Sequence, residues 1–301
     1  MINVSTTLIL GAGASKPYGF QLGGELFDEI CDFLRPDVET NEKKILRTIG
    51  FEMDRLTWFR RDLLRSGLRS VDAFLESRGE FINEGKAAIA CALVNREVSE
   101  NVVERGASQN NWYVYLWGRL RTEDPTELSK NCFSVVTFNY DRSLEYFLYN
   151  AISATYGLPE DKARSFLGGI PIVHLHGQLG ALREATGKGR SFSQQRDAQS
   201  IRMAAAGITI IHEANDGDAN FERARGYLAE AQRICFLGFG YHRANIRRLR
   251  IHKYSGQIFG TTMGLKKPEI DEIVKQFDKQ FVHQSGDENL DFLRTYGILL
   301  D

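Results

Sequence analysis

Val4-Ser5-Thr6-Thr7-Leu8-Ile9-Leu10 runs without interruption into Gly11-Ala12-Gly13-Ala14-Ser15. The first half is β-branched and apolar and lacks the in/out alternation of a half-exposed strand, so it reads as a strand buried on both faces. The glycines end it. Leu22, Leu26, Phe27, Ile30, Phe33 and Leu34 then recur at helical spacing. Similar short apolar runs follow at Phe133–Phe138 (FSVVTF), Ile170–Leu175 (IPIVHL), Gly207–His212 (GITIIH), Arg233–Phe239 (RICFLGF) and Gln257–Thr262 (QIFGTT). Buried strands separated by longer polar or helical stretches are the pattern of a parallel sheet covered on both sides.

The expected fold is therefore α/β: a Rossmann-like doubly wound parallel sheet of about six strands. One feature interrupts the alternation. From about Phe20 to Lys130 no strand pattern occurs, and the stripes Val71, Phe74, Leu75 and Trp112, Tyr115, Leu116, Leu120 are helical. The chain 1–301 reads as a single domain with a helical subdomain, about 20–130, inserted between the first and second strands. Glu184 to Ser200 (EATGKGRSFSQQRDAQS) is polar and reads as a mobile loop.

Composition removes several function classes. With 38 Lys+Arg against 39 Asp+Glu, the formal charge of −1 gives no whole-chain attraction for nucleic acid or anionic lipid, and direct nucleic-acid binding is not indicated. The densest basic stretch, His242 to Lys253, reads as a solvated helix face, with a phosphate-facing surface as the alternative. No apolar run approaches the ~20 residues of a membrane span, and Met1-Ile2-Asn3-Val4 has no basic leader. Cys31, Cys91, Cys132 and Cys235 form no Cys-x-x-Cys pair. They read as free, reduced, buried thiols of a cytoplasmic protein, and no zinc is expected.

Four turns carry candidate chemistry. Gly11-Ala12-Gly13-Ala14-Ser15 permits close approach of backbone N–H groups and a helix N-terminus to a phosphate, or is a plain strand-to-helix turn. Lys16 stands where a dinucleotide fingerprint carries its third glycine, with Pro17 next. No acidic residue ends an early second strand either, which disfavours an ordinary dehydrogenase. Thr137-Phe138-Asn139-Tyr140-Asp141 ends the second predicted strand. Asn139 is suited to a ribose hydroxyl or a water, and Asp141 to the same site or to a helix cap. His174-Leu175-His176-Gly177 ends the third, where alternation would put both imidazoles on one side. His174 reads as a core histidine. His176, beside the turn glycine, is better placed for substrate, and no companion ligand supports a metal. Gly238-Phe239-Gly240 ends a later strand. In open α/β sheets these carboxyl ends gather on one ligand-binding edge.

These motifs, in this order, resemble the sirtuin-like domain of bacterial antiphage proteins, over about residues 5 to 298. Ser70-Val71-Asp72-Ala73-Phe74-Leu75-Glu76 resembles the helical insertion of that group. The resemblance implies that Gly11, Ala12, Gly13 and Ser15 hold the diphosphate and adjoining ribose of NAD⁺. It further implies that Thr137, Asn139 and Asp141 lie by the nicotinamide ribose, that His176 is catalytic, and that Gly238 and Gly240 line the adenosine side. The chain lacks the two Cys-x-x-Cys pairs of protein-deacylating sirtuins. The implied activity is thus NAD⁺ hydrolysis to nicotinamide and ADP-ribose in antiphage defence. The alternatives are an NAD⁺-dependent deacylase without zinc and a non-catalytic nucleotide-sensing assembly subunit. A toxic activity in so short a chain implies control by assembly. The expectations are a homo-oligomer, a HerA-type DNA-translocating ATPase as partner, and Trp112, Tyr113 and Tyr115 at an interface or in the core.

Overall fold

A computed structural model describes residues 1–104, 110–210, 218–251, 254, 256–277, 281–284, 286 and 288–301. Its sheet has six strands: β1 (Thr6–Leu10), β2 (Phe133–Thr137), β3 (Ile172–His174), β4 (Arg233–Leu237), β5 (Gln257–Thr261) and β6 (Phe281–Gln284). All neighbours are parallel, in the order β3-β2-β1-β4-β5-β6. The first strand lies at the centre, as its all-buried sequence requires, with Leu10 level with both Thr137 and Leu237. The chain winds one way from β1 to β3 and the other way from β4 to β6. The crevice between the ends of β1 and β4 is therefore the topological switch point.

Period-two alternation divides the core. Leu8 and Leu10 belong to a large cluster that includes the inserted helices, while Ile9 belongs to a smaller cluster on the opposite face. The insertion between β1 and β2 is helical, as expected. Its helix Ile82–Val94 (INEGKAAIACALV) is buried over most of its circumference, since alanine and glycine let neighbouring helices approach closely. Trp112 and Tyr113 are core residues, which withdraws the interface alternative for them. The Trp112 Nε1–H donates to the Ala14 carbonyl (2.8 Å), and Tyr113 stacks on Tyr18.

Three expectations need correction. The described part of Gly207–His212, residues 207–210, is not a sheet strand. Gly207 ends the helix Ala198–Gly207, and Ile208 makes one isolated antiparallel bridge with Gly177. Residues 211 and 212 lie outside the described residues, as do 252 and 253 of the basic stretch. The sixth strand is instead β6, an edge strand in which Phe281 is buried and Val282 exposed. Cys31, Cys91 and Cys235 are buried, but Cys132 is exposed.

The third correction concerns Glu184 to Ser200, which is anchored rather than a free loop. Phe192 is buried and stacked on Tyr146, and Arg190 is almost fully buried. The Arg190 guanidinium donates to Glu97 Oε2 (2.6 Å), and the fully buried Arg142 donates to both Glu97 oxygens (2.7 and 2.8 Å). Arg142 also donates to the carbonyls of Gly180, Ala181, Arg190 and Ser191. A carboxylate from the insertion thus holds the residue beside Asp141 and the 179–193 segment together. Removing one member leaves uncompensated buried charge. Glu97→Ala is expected to lower the unfolding free energy by about 3–5 kcal/mol in denaturant titration. A loss below about 1 kcal/mol would contradict the assignment of this triad as a structural clamp.

Candidate functional site

The carboxyl ends of β1, β2, β3, β4 and β5 open into one cleft of about 840 Å³, within the size range of small-molecule and cofactor sites. Gly11, Ala12 and Gly13 line it after β1, Asn139 after β2, His176 after β3, and Gly238 and Gly240 after β4. Seven of the ten residues singled out in the sequence thus share one wall. Ser15, Thr137 and Asp141 do not reach it.

The two glycine turns are built against each other. Gly13 N–H donates to the Gly238 carbonyl (2.9 Å), and Gly11 N–H to the Leu237 carbonyl (3.0 Å). A Cβ on Gly238 would lie 2.1 Å from the Ala14 nitrogen, and φ there is +56°. Glycine is therefore demanded by backbone-to-backbone packing, independently of any ligand. This changes the expected role of Gly13. Its N–H is committed to the protein and is not a free phosphate donor. Gly240 is different: a Cβ there meets nothing closer than His242 at 3.5 Å.

Asn139 is fixed at three points. Its N–H donates to Thr137 Oγ1 (3.0 Å), and its Nδ2 donates to the Gly11 carbonyl (2.9 Å) and Ser15 Oγ (3.0 Å). Because a carbonyl can only accept, the amide orientation is determined, and Oδ1 is the end left to accept from a ligand. Ser15 and Thr137 therefore position Asn139 instead of touching substrate. Asp141, also buried, accepts from the N–H (3.1 Å) and hydroxyl of Ser143 and from Ser15. Burial pushes its carboxyl up, against those hydrogen bonds. It lies behind the cleft, where it holds Ser15, which in turn bonds Asn139.

The two histidines part company because β3 stops at His174 and alternation does not extend to residue 176. His174 Nδ1 is 2.9 Å from the Asn139 carbonyl, and its Nε2 is 2.5 Å from Glu145 Oε1. Both partners are acceptors, so both ring nitrogens carry protons. Burial disfavours that imidazolium, but the Glu145 carboxylate outweighs it, and the net shift is upward. His174 is thus an additional positioning residue, which the sequence presented as core. His176 lies edge-on to Phe138, is only 5% exposed, and its Nε2 has no hydrogen-bond partner. Burial, with Arg248 second, lowers it to about 3. The imidazole is therefore neutral at pH 7, and an unsatisfied buried nitrogen of this kind calls for a ligand or a water.

Other lining residues were not expected at the site. Asn289 donates to the Gly13 carbonyl from 276 positions away (3.1 Å). Asp72 enters from the inserted helix Val71–Ser77, and Lys16, beside the glycine turn, is paired with Glu25. Among the described residues no group of His, Cys, Asp and Glu is arranged to hold a metal ion. No described helix is long and apolar enough to cross a membrane. No protein-family model matches the chain, and a search of curated proteins finds no match.

Two outcomes follow from this geometry. Gly238→Ala is expected to destabilise the fold by more than about 2 kcal/mol in thermal or chemical unfolding, while Gly240→Ala folds like the parent. His176 is ordinarily protonated near 6.5 but only near 3 when folded. On acidification the unfolded chain takes the proton first, so this contribution is present above pH 6.5 and is lost as pH falls towards 3. Going from pH 7.5 to pH 5, the parent should lose roughly 2 kcal/mol more stability than His176→Gln, measured by urea titration at both pH values.

Proposed function

We propose that the cleft binds NAD⁺ and cleaves its nicotinamide–ribose bond, giving nicotinamide and ADP-ribose. The observation that carries this reading is that the Asn139 amide and the buried, unpartnered His176 line one cleft with two glycine turns at the switch point of the sheet. Both groups present what a sugar or a water needs. Asn139 Oδ1 and a neutral imidazole nitrogen are acceptors for hydroxyl hydrogens.

The chemistry balances without a metal or a redox partner. The C1′–N bond breaks, and its electron pair goes to the pyridinium nitrogen, so nicotinamide departs neutral and needs no acid. Positive charge passes to the ribose, as in other glycosidic cleavages. Water adds at C1′ and gives up a proton, which His176 accepts directly or through a ribose hydroxyl, a role worth ~10²–10⁴-fold. Asn139 orients that oxygen. Ser15, Thr137 and His174 hold Asn139 in register, and Asp141 supports Ser15 from behind.

In the cell the proposed role is antiphage defence by draining NAD⁺. Such an enzyme must stay silent until triggered, so we assign its control to assembly, with further copies of itself and with a HerA-type DNA-translocating ATPase. One observation favours a second reading, binding without turnover: an imidazole lowered to about 3 is a weak base until a ligand changes its surroundings. The deacylase alternative has no such support, because the chain lacks the cysteine pairs of the zinc module.

Incubation with NAD⁺ alone, with and without the product of the neighbouring gene, decides among these. Nicotinamide release without any acylated peptide is the expected result. His176→Ala and Asn139→Ala should each reduce it by about 100-fold or more with unchanged circular dichroism. Full turnover by His176→Ala would remove that residue from the mechanism, and release that requires an acyl-lysine peptide would favour the deacylase.

A further inference from the structure

We propose that Asp72 makes the cleft selective for the oxidised form of the dinucleotide, its carboxylate facing the positive charge of the nicotinamide ring; the inference rests on reading the cleft as an NAD⁺ site. Asp72 is contributed by the insertion and not by the sheet. It lines the cleft, and its Oδ1 accepts a short hydrogen bond from the Tyr140 hydroxyl. Tyr140 follows Asn139 directly, and its ring centroid is 6.3 Å from that of His176. The carboxylate therefore belongs to the Asn139–His176 end of the cleft, where the reading puts the bond to be broken.

This carboxylate is half-buried, and among the described residues no lysine or arginine forms an ion pair with it. Burial pushes this carboxyl up, while the Tyr140 hydroxyl, the backbone N–H of Asp72 itself and the nearby His242 act the other way. A desolvated carboxylate supported only by a neutral hydroxyl and its own backbone N–H is a poor resting arrangement, which an incoming cation improves. Lys16, Glu76 and Glu288 also line the cleft, and Lys16 is paired with Glu25. NAD⁺ brings a cationic ring to the Asp72 carboxylate, whereas NADH keeps the diphosphate and nearly the same shape but has a neutral ring. The difference between the two ligands is one charge, and a low-dielectric site with a facing carboxylate reads it. During cleavage the positive charge moves from ring to sugar as the bonding pair leaves with nitrogen, so the same carboxylate remains opposite charge of the favourable sign.

The test compares calorimetric binding of carba-NAD⁺, a pyridinium analogue whose ring–sugar bond is not hydrolysed, with that of NADH. The parent protein is expected to prefer carba-NAD⁺ by about tenfold or more. Asp72→Asn keeps an acceptor for Tyr140 and removes the charge. It should bring the two affinities within about threefold by weakening carba-NAD⁺ while leaving NADH unchanged. Tyr140→Phe removes the same hydrogen bond and keeps the charge, so it should retain the preference. The proposal is overturned if Asp72→Asn keeps the full preference, if it weakens both ligands equally, or if Tyr140→Phe abolishes the preference as completely. Equal binding of both ligands by the parent overturns charge selection alone and needs no variant. Failure of the parent to bind either ligand overturns the dinucleotide reading as well.

Discussion

The architecture turns on the contact between Gly238 and the Gly11–Ser15 turn. Strands β1 and β4 are adjacent and in register, so both chains must reverse at the same height and in the same space. They do so by putting backbone directly against backbone, with Gly13 N–H bonded to the Gly238 carbonyl and Gly238 N–H bonded to Thr261 Oγ1. No side chain fits between them, as the 2.1 Å approach of a hypothetical Cβ at Gly238 shows. The contact keeps the switch point narrow and uses donors that a glycine-rich turn otherwise offers to phosphate. The rim that meets a ligand includes the Asn139 side-chain oxygen, the His176 ring and the Asp72 carboxylate.

The rim is held in place by five consecutive residues, each tied to a different part of the molecule. Asn139 is bonded to the β1 turn and, through its carbonyl, to His174. Tyr140 is bonded to the insertion at Asp72. Asp141 is bonded to Ser143 and Ser15, and Arg142 to Glu97. The Ser143 hydroxyl is 2.8 Å from that of Tyr113, which stacks on Tyr18 beside the first turn. Such a segment has little freedom to adjust its side chains. An orienting amide needs that rigidity, because a displaced acceptor loses most of its advantage in reactions governed by geometry.

The same physics explains which parts were legible in the sequence. Strands β1, β2, β4 and β5 are uninterrupted apolar runs because both faces of a central parallel strand are buried, and such runs announce themselves. Strand β6 has one buried aromatic followed by exposed and half-buried positions, so FVHQ has no distinguishing pattern at an edge. Ile208 and Ile210 are buried, and burial alone made GITIIH look like a strand, although its described part pairs only once, with Gly177. In the cleft, the residues adjoining strand ends were legible from topology. Asn289 was not, and Asp72 stood out only as part of Ser70–Glu76, with no expected place in the cleft. They reach the cleft through tertiary packing of segments far away in the chain, and no local spacing encodes that. His174 is the satisfied histidine that the sequence suggested, but its partner Glu145, 29 positions away, was not legible, and β3 ends at His174, two residues short of His176.

The insertion is accordingly part of the core and not an appendage over it. It supplies Glu97 to two buried guanidiniums, packs against the face of the sheet that carries Leu8 and Leu10, and delivers Asp72 to the cleft. A sheet without it would keep its hydrogen-bonded ladder, yet Arg142 and Arg190 would be left as buried charges without a counter-ion, a cost of several kcal/mol that a marginally stable domain does not absorb. The sheet and the insertion must therefore fold as one cooperative unit. The insertion thus contacts, through Tyr140–Asp72 and Arg142–Glu97, residues that follow closely on Asn139 in the chain.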